Sequence, residues 1–190
     1  RLRAAFWFLR QFNRASRAKS NVAHHYDLSG ELYDLFLDED RQYSCAYFPT
    51  GTETLDEAQQ AKKLHIARKL LIEPGMRVLD IGCGWGGMAI TLARDFGARV
   101  VGVTLSEEQV RIARERVAAA GLSDQVEIRL ADYRDLVERF DRIVSVGMFE
   151  HVGAPQFRTY FRKVRELLTE DGVALIHTIG RSAPPQDTGG

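Results

Sequence analysis

Residues 77–87 read RVLDIGCGWGG: a short apolar strand carrying Asp80 runs directly into Gly82, Gly84, Gly86 and Gly87. Glycine at such a place permits a tight turn and lets the backbone come close to a ligand at the N-terminus of the following helix. A lone Gly-x-Gly is weak evidence. Directly after a strand and before a helix, inside a βαβ unit, it points to a nucleotide-type site on a parallel sheet.

The rest of the chain keeps the alternation. RVVGVTL (99–105), VEIRLAD (126–132), FDRIVSVG (140–147) and GVALIHTI (172–179) read as further strands. Helices are expected after Gly87, from Ser106 to Gly121, and over residues 155–168. Five strands with helices or short connections between them predict an α/β fold, a doubly wound parallel sheet. Ahead of it, apolar spacing predicts a helix from Asn21 to Leu37, broken near Ser29-Gly30. A second helix is expected from Leu55 to Leu71, with Thr54 and Glu57 as a capping box and Pro74-Gly75 as its end. YSCAYF (43–48) falls between them as a short extended or looped piece. The expected division is an N-terminal helical and lid segment with a site loop (1–73) and a ligand-binding core (74–190). The tail RSAPPQDTGG reads as a loop.

Composition narrows the class. A chain of 190 residues with 45% hydrophobic and 27% charged residues suits one globular domain. Two separated cysteines give no disulfide framework, and with no secretory signal visible a reducing, cytoplasmic setting is expected. No apolar run approaches the roughly 20 residues of a membrane span. The formal charge of zero hides an asymmetry: Arg1, Arg3, Arg10, Arg14, Arg17 and Lys19 crowd the first 19 residues without an acid, leaving a net of −6 elsewhere. So acidic a body is poorly matched to a phosphate backbone, and no nucleic-acid partner is expected. In the basic tip, Arg3, Arg10, Arg14 and Arg17 share one helical stripe and Ala5, Phe8, Leu9 and Phe12 another. Such a helix can lie on an anionic membrane or pack on its own domain.

A nicotinamide site of the usual type places an acid at the end of the second strand to bind a ribose hydroxyl. Thr104 stands there instead. Glu107 and Glu108 follow, where first-turn acids complement a helix dipole, and Ser106 with Gln109 forms a capping-box pattern. The dehydrogenase reading is weakened accordingly.

VLDIGCGWGG, VGVTLSEEQ and YSCAYF together resemble the cyclopropane-fatty-acyl-phospholipid synthase family, which includes the mycolic acid cyclopropane synthases and uses S-adenosylmethionine. AHHYDLSGELYDLFLD, LDEAQQAKK, DRIVSVGMFEHVG and GVALIHTI extend the resemblance over about residues 20–180. The resemblance implies a class I methyltransferase fold. Tyr43 and Ser44 would contact the methionine portion of the cofactor, and the loop from Asp80 through Gly82, Gly84 and Gly86 would pass its amino-acid part. Thr104 and Gln109 would lie near the ribose and adenine, and Asp132, Tyr133 and Arg134 would line the adenine pocket. His25 and Tyr26 would belong to a lid. Adjacent His24 and His25 are not expected to bind a metal.

The implied reaction transfers a methylene to the cis double bond of phospholipid acyl chains. A sulfonium methyl is attacked by the alkene, and ring closure removes a proton from the added methyl. The resemblance implies a bound bicarbonate ion as the base, held by Cys45, Glu150 and His177, with Cys45 acting by its small size and backbone N–H. Outside that resemblance, Cys45 and Cys83 read as structural thiols, His177 as a core histidine and Glu150 as a helix-start acid. Tyr43, Tyr47 and Phe48 would stabilise cationic charge by about 0.5–2 kcal/mol each and exclude water.

The family's fold continues past the fifth strand, so the fifth strand here is expected to be an open, sticky edge. That predicts an incomplete enzyme, inactive alone and prone to self-association, and the resemblance implies acyl chains at the membrane surface as partners. Methylation of a lipid alkene without ring closure, N-methylation of a small amine and a non-catalytic binding module are the alternatives.

Overall fold

The structure, a computed structural model, describes residues 30–180. The basic tip, His24, His25 and Tyr26 lie outside the described residues, as does most of the predicted 21–37 helix; of that helix, α1 (Gly30–Asp34) is described. The order that follows is α2 (Leu55–Lys69), β1 (Arg77–Ile81), α3 (Gly87–Phe96), β2 (Arg99–Thr104), α4 (Glu107–Ala119) and β3 (Val126–Leu130). Then come β4 (Phe140–Val146), α5 (Phe157–Leu167) and β5 (Leu168–His177), with single 3₁₀ turns at Tyr133–Asp135, Phe149–His151 and Ala154–Gln156.

All strand pairs are parallel and the order is β3-β2-β1-β4-β5, so the chain reverses its direction of travel across the sheet between β1 and β4. A crevice opens at the carboxyl ends of the strands at such a reversal, and there open α/β sheets bind ligands. β5 starts earlier than its sequence pattern suggested. Leu168 pairs with Phe140, and a register irregularity at residues 169–172 precedes the regular ladder from Val173 to His177.

Side chains alternate across the sheet and both faces are covered, which is why four successive residues of β1, Val78 to Ile81, are buried. On one face Val78, Val100, Ile128 and Val144 pack with Met88, Leu92, Val110 and Val117 of α3 and α4. On the other, Leu79, Ile81, Val103 and Ile143 meet Tyr160, Val164 and Leu167 of α5. Ile66, Ala67 and Leu70 belong to the first cluster, so the segment before residue 74 and the sheet share one core.

The expected capping box at α2 is complete: Thr54 Oγ1 accepts from the Glu57 N–H at 3.3 Å, and the Glu57 carboxylate accepts from the Thr54 N–H at 2.8 Å. At α4 only half of the expected box forms. Ser106 Oγ accepts from the Gln109 N–H at 3.2 Å, but the Gln109 side chain turns away to Thr104.

Candidate functional site

A cleft of about 1260 Å³, mouth included, occupies the crevice. Its floor is the strand-to-helix loop after β1. Gly84 there has φ +54°, and a Cβ built on it would stand in open space within the cleft. Asp80, on β1, is 2% exposed and its Oδ2 is buried without a partner among the described residues. Burial raises its pKa to about 7. An unpaired buried carboxylate oxygen at a ligand cleft fits a cationic group of the ligand, such as an ammonium.

One wall comes from the end of β2. Thr104 Oγ1 donates to Gln109 Oε1 at 2.6 Å, and Thr104 Oγ1 also accepts from the Ser106 N–H at 3.3 Å. Both side chains are buried and line the cleft with Leu105. No carboxylate stands at the ribose position of a nicotinamide site; Glu108 pairs with Arg111 on the outer surface of α4. Beyond β3, Asp132 caps the 3₁₀ turn by accepting from the Arg134 N–H at 3.0 Å and binds Arg134 Nε at 2.8 Å. Tyr133 lies under the Arg134 guanidinium, 5.8 Å from ring centroid to Cζ, and burial pushes its hydroxyl up to about 12. The Asp132 carboxylate thus faces the cleft already engaged by Arg134.

The opposite rim is the loop 38–45. Arg41, Gln42, Tyr43 and Ser44 line the cleft. Tyr33 of α1 is buried beneath them, its ring 4.9 Å from Trp85 and 5.7 Å from Tyr43.

Of the sequence-predicted cofactor residues, the cleft brings together Tyr43, Ser44, Asp80, Gly82, Gly84, Thr104, Gln109, Asp132, Tyr133 and Arg134. Gly86 sits behind the lining as the left-handed N-cap of α3. Cys45, Glu150 and His177 stand outside the lining, on segments that contact one another beside it. The Glu150 carboxylate accepts from the Ile179 N–H at 2.9 Å, two residues beyond His177. The Gly147 N–H donates to the His177 carbonyl at 3.0 Å, and a Cβ on Gly147 would come within 3.3 Å of Ser44 Cβ, next to Cys45. Cys45 and Glu150 are exposed, while His177 Nδ1 is buried without a partner among the described residues. Cys83 is buried, and burial together with Asp80 raises its thiol pKa well above the ordinary range, which suits a packing role.

One expectation is corrected. Tyr47 does not face the cleft: its ring packs 4.8 Å from His65 of α2, and neither it nor Phe48 joins the lining, because the chain turns outward after Cys45 to reach the Thr54 cap. Tyr43 alone of the three lines it. Sequence reasoning missed Gln59, Lys62 and Lys63, a buried polar stripe on α2 against the site loop. Their signal was present: three polar residues at helical spacing on the stripe that continues through apolar Ile66.

The chain matches the family model described as mycolic acid cyclopropane synthetase over residues 13–188. It is 51% identical over 173 residues to the cyclopropane-fatty-acyl-phospholipid synthase of Escherichia coli K12, covering 90% of this chain and 44% of that protein. The fold is similar to a crystal structure of mycolic acid cyclopropane synthase CmaA1 complexed with SAH and CTAB, with a TM-score of 0.80, 41% identity and coverage of 83% of this chain and 55% of that one. It is also similar to coclaurine N-methyltransferase bound to N-methylheliamine and SAH, with a TM-score of 0.74, 27% identity and coverage of 93% and 54%. The chain spans about half the length of the curated relatives it matches.

Proposed function

The chain belongs to the mycolic acid cyclopropane synthetase family, and on that footing we propose that its cleft binds S-adenosylmethionine for methylene transfer to the cis double bond of unsaturated phospholipid acyl chains. One observation carries the cofactor assignment: a glycine-lined cleft at the strand reversal that contains a buried, unpartnered Asp80 oxygen and, in place of a second acid, the Thr104–Gln109 pair. S-adenosylmethionine, when bound, supplies a methyl group made electrophilic by its sulfonium.

The chain's own residues divide the remaining work. Asp80 takes the ammonium of the amino-acid end and is ionised by doing so. Gly82 and Gly84 let the backbone approach, and Thr104 and Gln109 meet the ribose and adenine, with Tyr133 and Arg134 closing the adenine side. The Tyr43 ring covers the mouth and shields the reacting region from water. Bicarbonate would supply the base. The Nδ1 of His177, without a partner among the described residues, and the second oxygen of Glu150 fit an anion that both donates and accepts hydrogen bonds, with Cys45 leaving room beside them. Phe36 and Tyr43 are exposed with their rings 6.2 Å apart, and they offer apolar contact to an acyl chain and to a membrane surface. Among the described residues no helix is long and apolar enough to cross a membrane.

The similarity to an N-methyltransferase keeps a second reading, methylation of an amine, in play on the same cofactor site. The protein carrying this chain, incubated with labelled S-adenosylmethionine and vesicles of a monounsaturated phosphatidylglycerol, is expected to give a lipid heavier by one methylene, with cyclopropane ring protons and no alkene. A methyl-branched product points to methylation without closure. Label on an added amine and none on the lipid overturns the proposal.

A further inference from the structure

Lys62, on α2, is 3% exposed, and its ammonium donates to Ser44 Oγ at 2.6 Å. A lysine so buried is rare unless its position has a use. Its neighbours on the stripe hold the site loop by other atoms. The Gln59 amide donates to the Gln42 and Ser44 carbonyls at 3.0 and 2.9 Å, and Lys63 pairs with the Asp40 carboxylate, which also takes Arg116. Backbone position is therefore fixed by Gln59 and Lys63. Lys62 acts on a side-chain hydroxyl that lines the cleft.

An ammonium has three donors and no acceptor, whereas a serine hydroxyl does both. In the Lys62–Ser44 bond the serine oxygen must accept, so its own hydrogen is left to donate elsewhere. Among the described residues no group takes that hydrogen, and the cleft lies in front of it. We propose that Lys62 is a positioning residue that sets the polarity of the Ser44 hydroxyl, holding its hydrogen toward the cleft as a donor to the carboxylate of an amino-acid-bearing ligand. This rests on the cofactor reading above and adds to it how one end of the ligand is selected. Opposite charges are then sorted by two groups: Asp80 for the ammonium and Ser44, oriented by Lys62, for the carboxylate.

A neutral amine at Lys62 can accept the serine hydrogen instead, which reverses the bond and removes the donor. Burial lowers the Lys62 pKa to about 8, with Lys63 acting in the same direction and Asp38, Asp40 and Cys45 opposing. The donor is thus present below about pH 8 and is lost above it. Arginine at this position stays charged throughout.

The test titrates the chain by calorimetry with two probes, S-adenosylhomocysteine and 5′-methylthioadenosine, which lacks the amino-acid end. Lys62→Met and Ser44→Ala are each expected to weaken S-adenosylhomocysteine about tenfold and to leave methylthioadenosine within about twofold, with the double variant no weaker than either alone. Lys62→Arg should restore most of the affinity and flatten the alkaline fall that wild type shows above about pH 8; the ligand's own amine titrates in both proteins and cancels in the comparison. Equal weakening of both probes by Lys62→Met means a collapsed loop and overturns the inference, as do additive effects in the double variant or an arginine variant whose pH profile follows wild type. Failure of wild type to bind either probe defeats the cofactor reading itself.

Discussion

The two sides of the cleft are built on different terms. On the proposed cofactor side, Asp80, Thr104 and Asp132 sit at or just beyond the ends of three adjacent strands and Gln109 in the first turn of α4, each no more than 9% exposed, and sheet register fixes the strand positions. On the other side, Cys45, Glu150 and His177 come from a loop, a 3₁₀ turn and the end of the outermost strand on that flank of the described sheet, and two of the three are exposed. A ligand seated on strand ends is positioned by the core. A group at the sheet's margin is positioned by single contacts such as Glu150 to Ile179 and Gly147 to His177. Damage on the first side should therefore appear as lost cofactor affinity, and damage on the second as lost turnover with the cofactor still bound.

The largest effect is expected at Gly84. Valine there is strained at φ +54° and places its branches in the cleft, so S-adenosylhomocysteine affinity should fall by at least about a hundredfold while the circular dichroism of the chain stays near wild type. Near-normal binding would break the assignment of this loop to the cofactor. Glu150→Gln sharpens the contrast from the other side. In the protein carrying this chain, turnover on unsaturated phospholipid vesicles should drop about a hundredfold with S-adenosylhomocysteine affinity within about twofold of wild type. A parallel loss of binding would mean that the two sides are one coupled unit.

How legible each side was follows from the same distinction. RVLDIGCGWGG and RVVGVTL carry strand, turn and helix start within a dozen residues, so local chemistry alone located the sheet, the glycine loop and Thr104. The Thr54–Glu57 box was equally local. The Gln109 side chain was misread as a cap because its real partner, Thr104, lies across a strand-to-helix turn that no spacing rule reveals. Tyr47 was placed at the site because it neighbours Cys45 in YSCAYF, but its ring lies against His65 of α2. Lys62 was missed because a charged residue in an amphipathic helix is ordinarily solvated; only the packing of the 38–45 loop onto α2 buries it. The grouping of Cys45, Glu150 and His177 came from family resemblance, and nothing in their separations along the chain would have joined them.

Asp80 tests the cofactor side with two readouts of opposite sign. Its folded pKa of about 7 lies above the roughly 4 of an aspartate in an unfolded chain, so the folded chain holds the proton more tightly. The stability this group contributes is complete below about pH 4 and is lost as pH rises to about 7. Asp80→Asn, similar in shape and without charge, should melt higher than wild type at about pH 8 and alike near pH 4, yet bind S-adenosylhomocysteine about tenfold more weakly for want of a carboxylate facing the ammonium. Equal melting at both pH values would show that the carboxylate is hydrated in the free protein.

The smallest effect on the ligand, and the finest test of the register argument, is expected at Gln109. Thr104 is 6% exposed and its hydroxyl donates only to Gln109 Oε1 among the described residues, while Ser106 N–H donates back to it. Gln109→Leu removes the acceptor and strands a buried hydroxyl hydrogen, a cost of about 1–3 kcal/mol in folding stability. Gln109→Glu keeps an acceptor oxygen in the same place and should recover part of that loss. S-adenosylhomocysteine affinity in the leucine variant should fall only a few-fold, because the sheet still holds Thr104 at the end of β2, paired in register with Leu130. A loss as large as that of Gly84→Val would mean that Gln109, not the strand end, positions this wall of the cleft, and the line between a core-built side and a contact-built side would have to be redrawn through α4.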